Sequence, residues 1–374
     1  MRRVGHIIRK EFIQLRRDRR MSFIIFFSPI IQLVLFGYAA NLDIRDIPVV
    51  FCDLDASRVS RDFIALFPSS GYFTIKATID RIDELDAYVD RGDASLALII
   101  PRGMGRRLAA QKPVSIQVIV DGSESQTAVI GLNYATMIGA KYSRQILTER
   151  LERAMPGFSP PGIEAEVRVW YNPELRSRNF MIPGVLAMVL MIVTMMLTSL
   201  GIVKEREQGT MEQLMVTPIR AHELILGKLL PFFLIGLIEI GVVVAVAVFW
   251  FGVPVKGSLW LLFALSPTFM LTTLGLGLFI STISRNQQQA MLTAVFFVLP
   301  QIILSGFVFP IENMPRIIRA LTTVVPLRYF LGIIRGLFLK AAGWDALWDE
   351  TAALLVFGFV ILGLSVLRFR KRLE

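Results

Sequence analysis

The sequence predicts a polytopic α-helical membrane protein with six transmembrane helices and an α/β extracytoplasmic domain inserted between helices 1 and 2. Three observations predict it. The 374 residues are 54% hydrophobic with a mean hydropathy of +0.59, too apolar for a soluble chain of this size. Six runs are long and apolar enough to supply the roughly 20 helical residues that a hydrocarbon core requires. The 40 Lys and Arg residues gather beside those runs, so the net charge of +10 reads as topology and not as nucleic-acid binding.

Residues 1–21 carry eight basic side chains and an apolar stripe of Ile7, Ile8, Phe12 and Leu15, which predicts an amphipathic helix lying in the cytoplasmic interface. The first span follows at 22–40. Gly37 and Ala39 have the spacing of a signal-peptide cleavage site, but the apolar run is longer than a signal core, so it reads as an uncleaved anchor. Residues 41–178 then form the longest polar gap. Strands are expected at 47–51, 72–77, 95–100, 115–120 and 166–170, and helices at 57–67, 82–91 and 124–154. Asp53-Leu54-Asp55 and Asp121-Gly122-Ser123-Glu124 follow strands and read as turn or capping acids, with metal binding the sharper alternative. Pro156, Pro160, Pro161 and Pro173 mark an irregular return to the membrane.

The remaining spans are expected at 181–203, 229–252, 258–283, 290–310 and 351–367, within a five-helix transmembrane domain covering 179–374. Arg368, Arg370, Lys371 and Arg372 end the chain in a basic cluster, so both termini are expected in the cytoplasm, as an even number of spans requires. The gap 41–178 holds 17 basic against 18 acidic residues and lacks that positive bias, which places it outside. An external re-entrant segment is expected at 311–345. Its apolar stretches are broken by Pro315 and Pro326 and carry Arg316, Arg319, Arg328, Arg335 and Lys340.

No Gly-x-x-x-x-Gly-Lys-Ser/Thr phosphate loop occurs, nor any Gly-x-Ser-x-Gly or His-Glu-x-x-His motif. His6 and His222 are the only histidines and Cys52 the only cysteine, so histidine-based zinc or triad chemistry has no residues to use. What stands out is a polar island at 204–222 between two apolar runs. There Glu205, Glu207 and Glu212 surround Gly209, Thr210 is positioned to cap a short helix, and Thr217-Pro218 ends it. Taken alone the island is as consistent with a solvated connector as with a contact. Inside the spans, Glu239 and Gln301 are candidates for a substrate path, because a buried ionisable group costs at least ~2.5 kcal/mol and usually faces a partner or cavity. Met188, Met191, Met195 and Met196 could line an adaptable surface, though packing is the plainer role.

The run Lys204-Glu205-Arg206-Glu207-Gln208-Gly209-Thr210-Met211-Glu212-Gln213-Leu214, followed by Thr217-Pro218, resembles the cytoplasmic loop of ABC-2 type exporter permeases. Leu299-Pro300, Leu304-Ser305-Gly306-Phe307, Phe309-Pro310 and Met314-Pro315 are similar to that family's fifth span and outer exit. Six spans with a large external domain between the first two resemble its bacterial multidrug and lipid-exporter branch. The resemblance implies a multi-pass subunit of the bacterial inner membrane, without an ATPase site, whose ATP and Mg are bound by a separate ATP-binding cassette subunit. It implies a second permease chain, identical or paralogous, contact with membrane lipid, and a periplasmic adaptor as an optional partner. It further implies that the N-terminal helix and Glu205, Glu207, Gly209, Thr210, Glu212, Leu214, Thr217 and Pro218 form the ATPase contact. An ion-driven secondary transporter and a membrane-anchored ligand sensor are the alternatives. The first would show broken helices in two repeats, and the second a cytoplasmic output domain.

Overall fold

The computed structural model describes residues 2–39, 46–155, 170–173, 176–210 and 221–370. It divides into two compact units, one of Met1–Asn41 with Arg168–Glu374 and one of Leu42–Val167.

The smaller unit is an α/β domain with helices on both faces of its sheet. Its elements are β1 (Ile47–Asp53), α3 (Arg58–Ser69), β2 (Phe73–Ile79), α4 (Leu85–Asp90), β3 (Leu96–Ile100), α5 (Met104–Ala109), β4 (Gln117–Val120) and α6 (Ser125–Ala154), numbered after α1 (Arg2–Arg17) and α2 (Arg19–Ala39) of the larger unit. The sheet order is β2-β1-β3-β4, with β1 parallel to both neighbours and β4 antiparallel to β3. A central parallel strand is covered on both faces, which is why β1 reads as the unbroken apolar run Val49-Val50-Phe51-Cys52. One face packs Phe51 against Phe67, whose ring also meets Phe63 and Phe73. The other packs Val50 and Cys52 with Leu85 and Ala97. The predicted strand at 166–170 lies outside the described residues except for Trp170.

The acids after β1 serve the loops, as turn chemistry suggests. Asp53 accepts from the backbone N–H of Asp55 and Ala56, both at 3.0 Å, and from Ser60 Oγ at 2.7 Å. Asp55 accepts from the N–H of Gly103 at 2.8 Å and of Gly105 at 3.0 Å, so its carboxylate fills the start of α5. Gly103, at φ +78°, makes that turn without a Cβ clash. After β4, Asp121 accepts from Ser123 N–H at 2.9 Å in an Asx turn.

The larger unit continues with α7 (Ser177–Glu207), α8 (Ala221–Phe249), α9 (Leu259–Ile283), α10 (Gln287–Leu304), α11 (Arg316–Thr322), α12 (Pro326–Lys340) and α13 (Trp344–Arg370). Among the described residues, five helices (α7, α8, α9, α10 and α13) are long and apolar enough to cross a membrane. The pair α11 and α12, bent by 77°, would add a sixth only if counted as one broken span. The predicted first span falls on α2, a helix of 21 residues whose sequence is apolar from Phe23 onward.

Helix α7 is the axis of this unit: 78% of its apolar window is buried inside the protein, against 22% for α10 and for α13. Apolar side chains gain little by leaving lipid for a helix interface, so contact depends on small residues and shared hydroxyls. A Cβ on Gly277 would lie 2.6 Å from the carbonyl oxygen of Met195, so only glycine lets α9 approach α7 there. One turn away Thr194 Oγ1 meets Thr273 Oγ1 at 2.8 Å. Met188, Met191 and Met195 are buried in this core, which makes them packing residues.

Two boundaries differ from expectation. Helix α10 stops at Leu304, short of the predicted 310, because Gly306 adopts φ +84° and turns the chain. In the other direction α7 runs on through Lys204, Glu205, Arg206 and Glu207, expected as loop, and ends at Gly209 with φ +69°. Lys, Glu and Arg are strong helix formers, and each of these four side chains finds a partner outside α7.

Burial raises the Asp55 carboxyl, but hydrogen bonds from Ser57 and from the Gly105, Gly103 and Met104 amides outweigh it and hold the group below the usual carboxylate range. Its stabilisation is therefore complete above the ordinary carboxylate pKa and is lost as the pH falls below it. Asp55→Ala should weaken the β1–α5 junction by about 1–3 kcal/mol at neutral pH. Hydrogen exchange should show faster exchange at the Gly103 and Gly105 amides, and the difference from the parent should shrink in strong acid.

Candidate functional site

The last turn of α7 gathers the elements around it. Successive residues on a helix point about 100° apart, so four in a row cover its whole circumference. Lys204 Nζ donates to Asp18 Oδ2 at 2.9 Å, at the junction of α1 and α2. Glu205 accepts from Lys10 of α1 and lies 2.5 Å from Lys228 Nζ of α8. Arg206 Nη1 donates to the carbonyls of Ser281 at 3.0 Å and Ser284 at 2.9 Å, where α9 ends. Glu207 accepts from the backbone N–H of Gln287 at 2.9 Å, where α10 begins. The signs suit the helix dipoles: a cation meets the carbonyl end of α9 and an anion the amide end of α10.

At the centre sits a buried ion cluster. Glu205 is 2% exposed, Lys228 1% and Glu11 8%. Lys228 Nζ lies 3.5 Å from Glu11 Oε1 and also donates to the Gly201 carbonyl at 3.4 Å. Burial raises the Glu11 carboxyl, the Lys228 ammonium pulls it back, and neighbouring Glu205 adds to the rise. The backbones come close because Gly227 lets Ile7 pack on α8, its would-be Cβ only 2.9 Å from Ile7 Cβ, so α1 is held to α8 by apolar contact as well as charge.

The candidates from the sequence are thus distributed unevenly. Glu205, expected on a contact surface, is interior and engaged by two lysines. Glu207 is engaged by Gln287, and Gly209 supplies the left-handed turn that ends α7. Thr210 donates to the Glu205 carbonyl at 3.1 Å, closing that end; any helix it would cap lies outside the described residues. Glu212, Leu214, Thr217 and Pro218 also lie outside them. Glu239 is 4% exposed inside the packing of its own chain, and neither carboxylate oxygen has a hydrogen-bond partner among the described residues. Gln301 is 7% exposed with its Oε1 likewise unpartnered, and no bond joins the two. No group of three or more potential metal ligands occurs among the described residues.

Sequence reasoning misses Lys228 and Glu11. Starting the span at Leu229 puts Lys228 in the preceding loop. Glu11 is hidden among basic residues, although a lone acid between Ile7 and Leu15 on the apolar face of a basic helix is a signal for a buried cationic partner.

Residues 19–367 match the model of a family described as ABC-2 family transporter protein. The chain belongs to the ABC-2 transporter family. Over its whole length it is 37% identical to the probable multidrug ABC transporter permease YbhS of Escherichia coli, covering 98% of that protein. It is 31% identical to the probable multidrug ABC transporter permease YbhR of the same organism, with 99% of each chain aligned. The linearmycin resistance permease protein LnrN of Bacillus subtilis is 25% identical over 70% of this chain and 65% of its own. This ABC-2 permease is the membrane subunit of an ABC exporter, and the cluster at the foot of α7 belongs to a transport subunit.

Removing one partner of a buried ion pair strands the other charge. Lys228→Met should therefore destabilise the permease by about 3–5 kcal/mol, whereas Lys204→Met, at the half-exposed Asp18 pair, should cost about 1 kcal/mol or less. Thermal unfolding midpoints in one detergent check the order of the two variants.

Proposed function

We propose that this permease works as one of two membrane chains in an ATP-driven exporter, moving drugs, lipids or other amphipathic compounds out of the cytoplasm or inner leaflet by alternating access. Its relatives' names, probable multidrug permeases and a linearmycin resistance permease, support that substrate class. In this reading α2 is the first of six crossings, both termini are cytoplasmic, residues 41–178 are extracytoplasmic, and α11 with α12 forms the external re-entrant segment. The chain carries no phosphate loop, so ATP and Mg belong to a separate ATP-binding cassette subunit. A periplasmic adaptor would meet the extracytoplasmic domain.

The observation that carries the reading is the foot of α7, where four consecutive side chains hold α1, α8, α9 and α10. The ATPase contact then falls to the segment beyond Gly209, with Glu212, Leu214, Thr217 and Pro218, while Glu205 and Glu207 act one step behind it as positioning residues. Closure of the ATPase pair displaces that segment, Gly209 and Thr210 pass the movement to α7, and the ionic ties carry the neighbouring helices along. Work is transferred only if the two states differ in contact energy, and a coupling of about 1–3 kcal/mol is typical between linked sites. Glu239 and Gln301 would enter a substrate path only when α8 and α10 part from α7. An ionisable group so enclosed is costly to keep without a function.

Proline cannot adopt φ near +69°, so Gly209→Pro should abolish substrate-stimulated ATP hydrolysis by the reconstituted complex while the permease still inserts and binds its partner. Unchanged stimulation would refute the transmission role. Ser123→Cys in a Cys52→Ser background should be labelled by an impermeant maleimide from outside the cell. Labelling only from the cytoplasm would reverse the topology.

A further inference from the structure

Helix α1 presents three faces. Ile7 and Glu11 turn inward, fixed by the contact with Gly227 and the pairing with Lys228. That rotation leaves His6, Arg9, Lys10, Ile13 and Arg17 along an open groove of about 870 Å³, with Phe12 and Arg16 exposed beside it. Only two acids occur in the first 20 residues, and both are engaged from elsewhere in the chain: Glu11 by Lys228 and Asp18 by Lys204. Arg9, Arg16 and Arg17 therefore have no ion pair or hydrogen bond among the described residues. They form a cationic flank whose counter-charge must come from another molecule.

We propose that this flank binds the phosphate groups of anionic phospholipids at the membrane surface. Three features select a lipid over a free anion or an acidic protein face. Phe12 and Ile13, 36% and 45% exposed, stand among the arginines, the mixture of apolar anchor and cation that an interface rewards. Helix α2 starts at Arg19 and its sequence is apolar from Phe23, about 6 Å further along a helix, so the flank lies beside the apolar boundary, at the depth of the headgroups. Asp18 is tied to Lys204 at the polar end of the long apolar helix α7, which puts a second marker at the same level. The ionic cluster thus has an outward consequence. By consuming the acids of α1 it leaves the arginines to the lipid, and anionic lipid would steady the same helix that is tied to α7 and α8. The inference rests on α1 facing the inner leaflet, as proposed above.

The test uses the full-length permease without its ATPase, in detergent micelles, titrated with fluorescent phosphatidylglycerol or with phosphatidylcholine carrying the same acyl chains and dye. Phosphatidylglycerol should bind about 100-fold more tightly. Each basic residue near an anionic surface contributes about a fivefold factor, so Arg9→Gln/Arg16→Gln/Arg17→Gln should weaken phosphatidylglycerol binding by about 100-fold and leave phosphatidylcholine unchanged. The variant spares Lys10, Glu11 and Lys228, and an unaltered unfolding midpoint verifies that it folds. Equal binding of the two lipids, or a preference that survives the triple substitution, would overturn the proposal. In a parallel pull-down with the ATPase subunit, a triple variant that keeps its lipid preference but no longer captures the ATPase would also overturn it, because the flank would then be a protein dock. Micelles have no sides, so failure of this test leaves the topology and the export reading standing.

Discussion

A single ammonium group organises the polar end of this membrane domain. Lys228 is almost fully enclosed, with Glu205 at 2.5 Å and Glu11 at 3.5 Å. Two carboxylates and one lysine leave a negative excess, and Lys10, reaching Glu205 from the half-exposed side of α1, completes the neutrality. Desolvating the three enclosed charges is expensive, and replacing such a group with apolar side chains is often stabilising. The value of the cluster lies in specificity. It requires α1, α7 and α8 to come together in one register, which apolar contacts in a lipid solvent would leave open.

Around that cluster the foot of α7 behaves as a junction. The ties to Asp18, Lys228, Ser281, Ser284 and Gln287 run in different directions from adjacent residues, so α1, α8, α9 and α10 cannot shift against the foot of α7 without breaking a charge-assisted bond. Because α7 is also the most buried helix, its displacement is felt throughout the unit. Packed cores switch between discrete arrangements more readily than they deform, which suits a part that must convert a push at one end into an opening at the other. The α/β unit follows a different logic, with a conventional apolar core and loops fastened by Asp53 and Asp55.

The helical, membrane-embedded class is legible from apolar length and basic flanks, because lipid tolerates few alternatives for a spanning backbone. The α/β strands are legible for a related reason: β1 is uniformly apolar because it is covered on both faces. Harder to read is the state of a charged residue. Lys204 to Glu207 has the composition of a solvated loop, and only the partners on four other helices make it the end of α7. Lys228, adjoining the apolar run that begins at Leu229, has the look of an ordinary basic flank, and Glu11 is lost among basic neighbours. Weighed together, the two unmatched charges point to each other. Glu239 remains enclosed without a hydrogen-bond partner among the described residues, a cost that their packing does not explain.

If the cluster binds α1 and α8 into one moving part, joining them covalently should change nothing. Ile7 and Gly227 offer the position: a Cβ on Gly227 would lie 2.9 Å from Ile7 Cβ, within a small adjustment of disulfide geometry. Cys52 is the only native cysteine, so Ile7→Cys/Gly227→Cys with Cys52→Ser gives a clean pair. ATP-driven export from proteoliposomes is compared before and after oxidation. A rigid unit predicts the same rate with the bond closed as with it reduced. Export that stops on oxidation and returns on reduction would mean that α1 and α8 slide past each other in the cycle, contradicting the central role of Lys228 and its carboxylates.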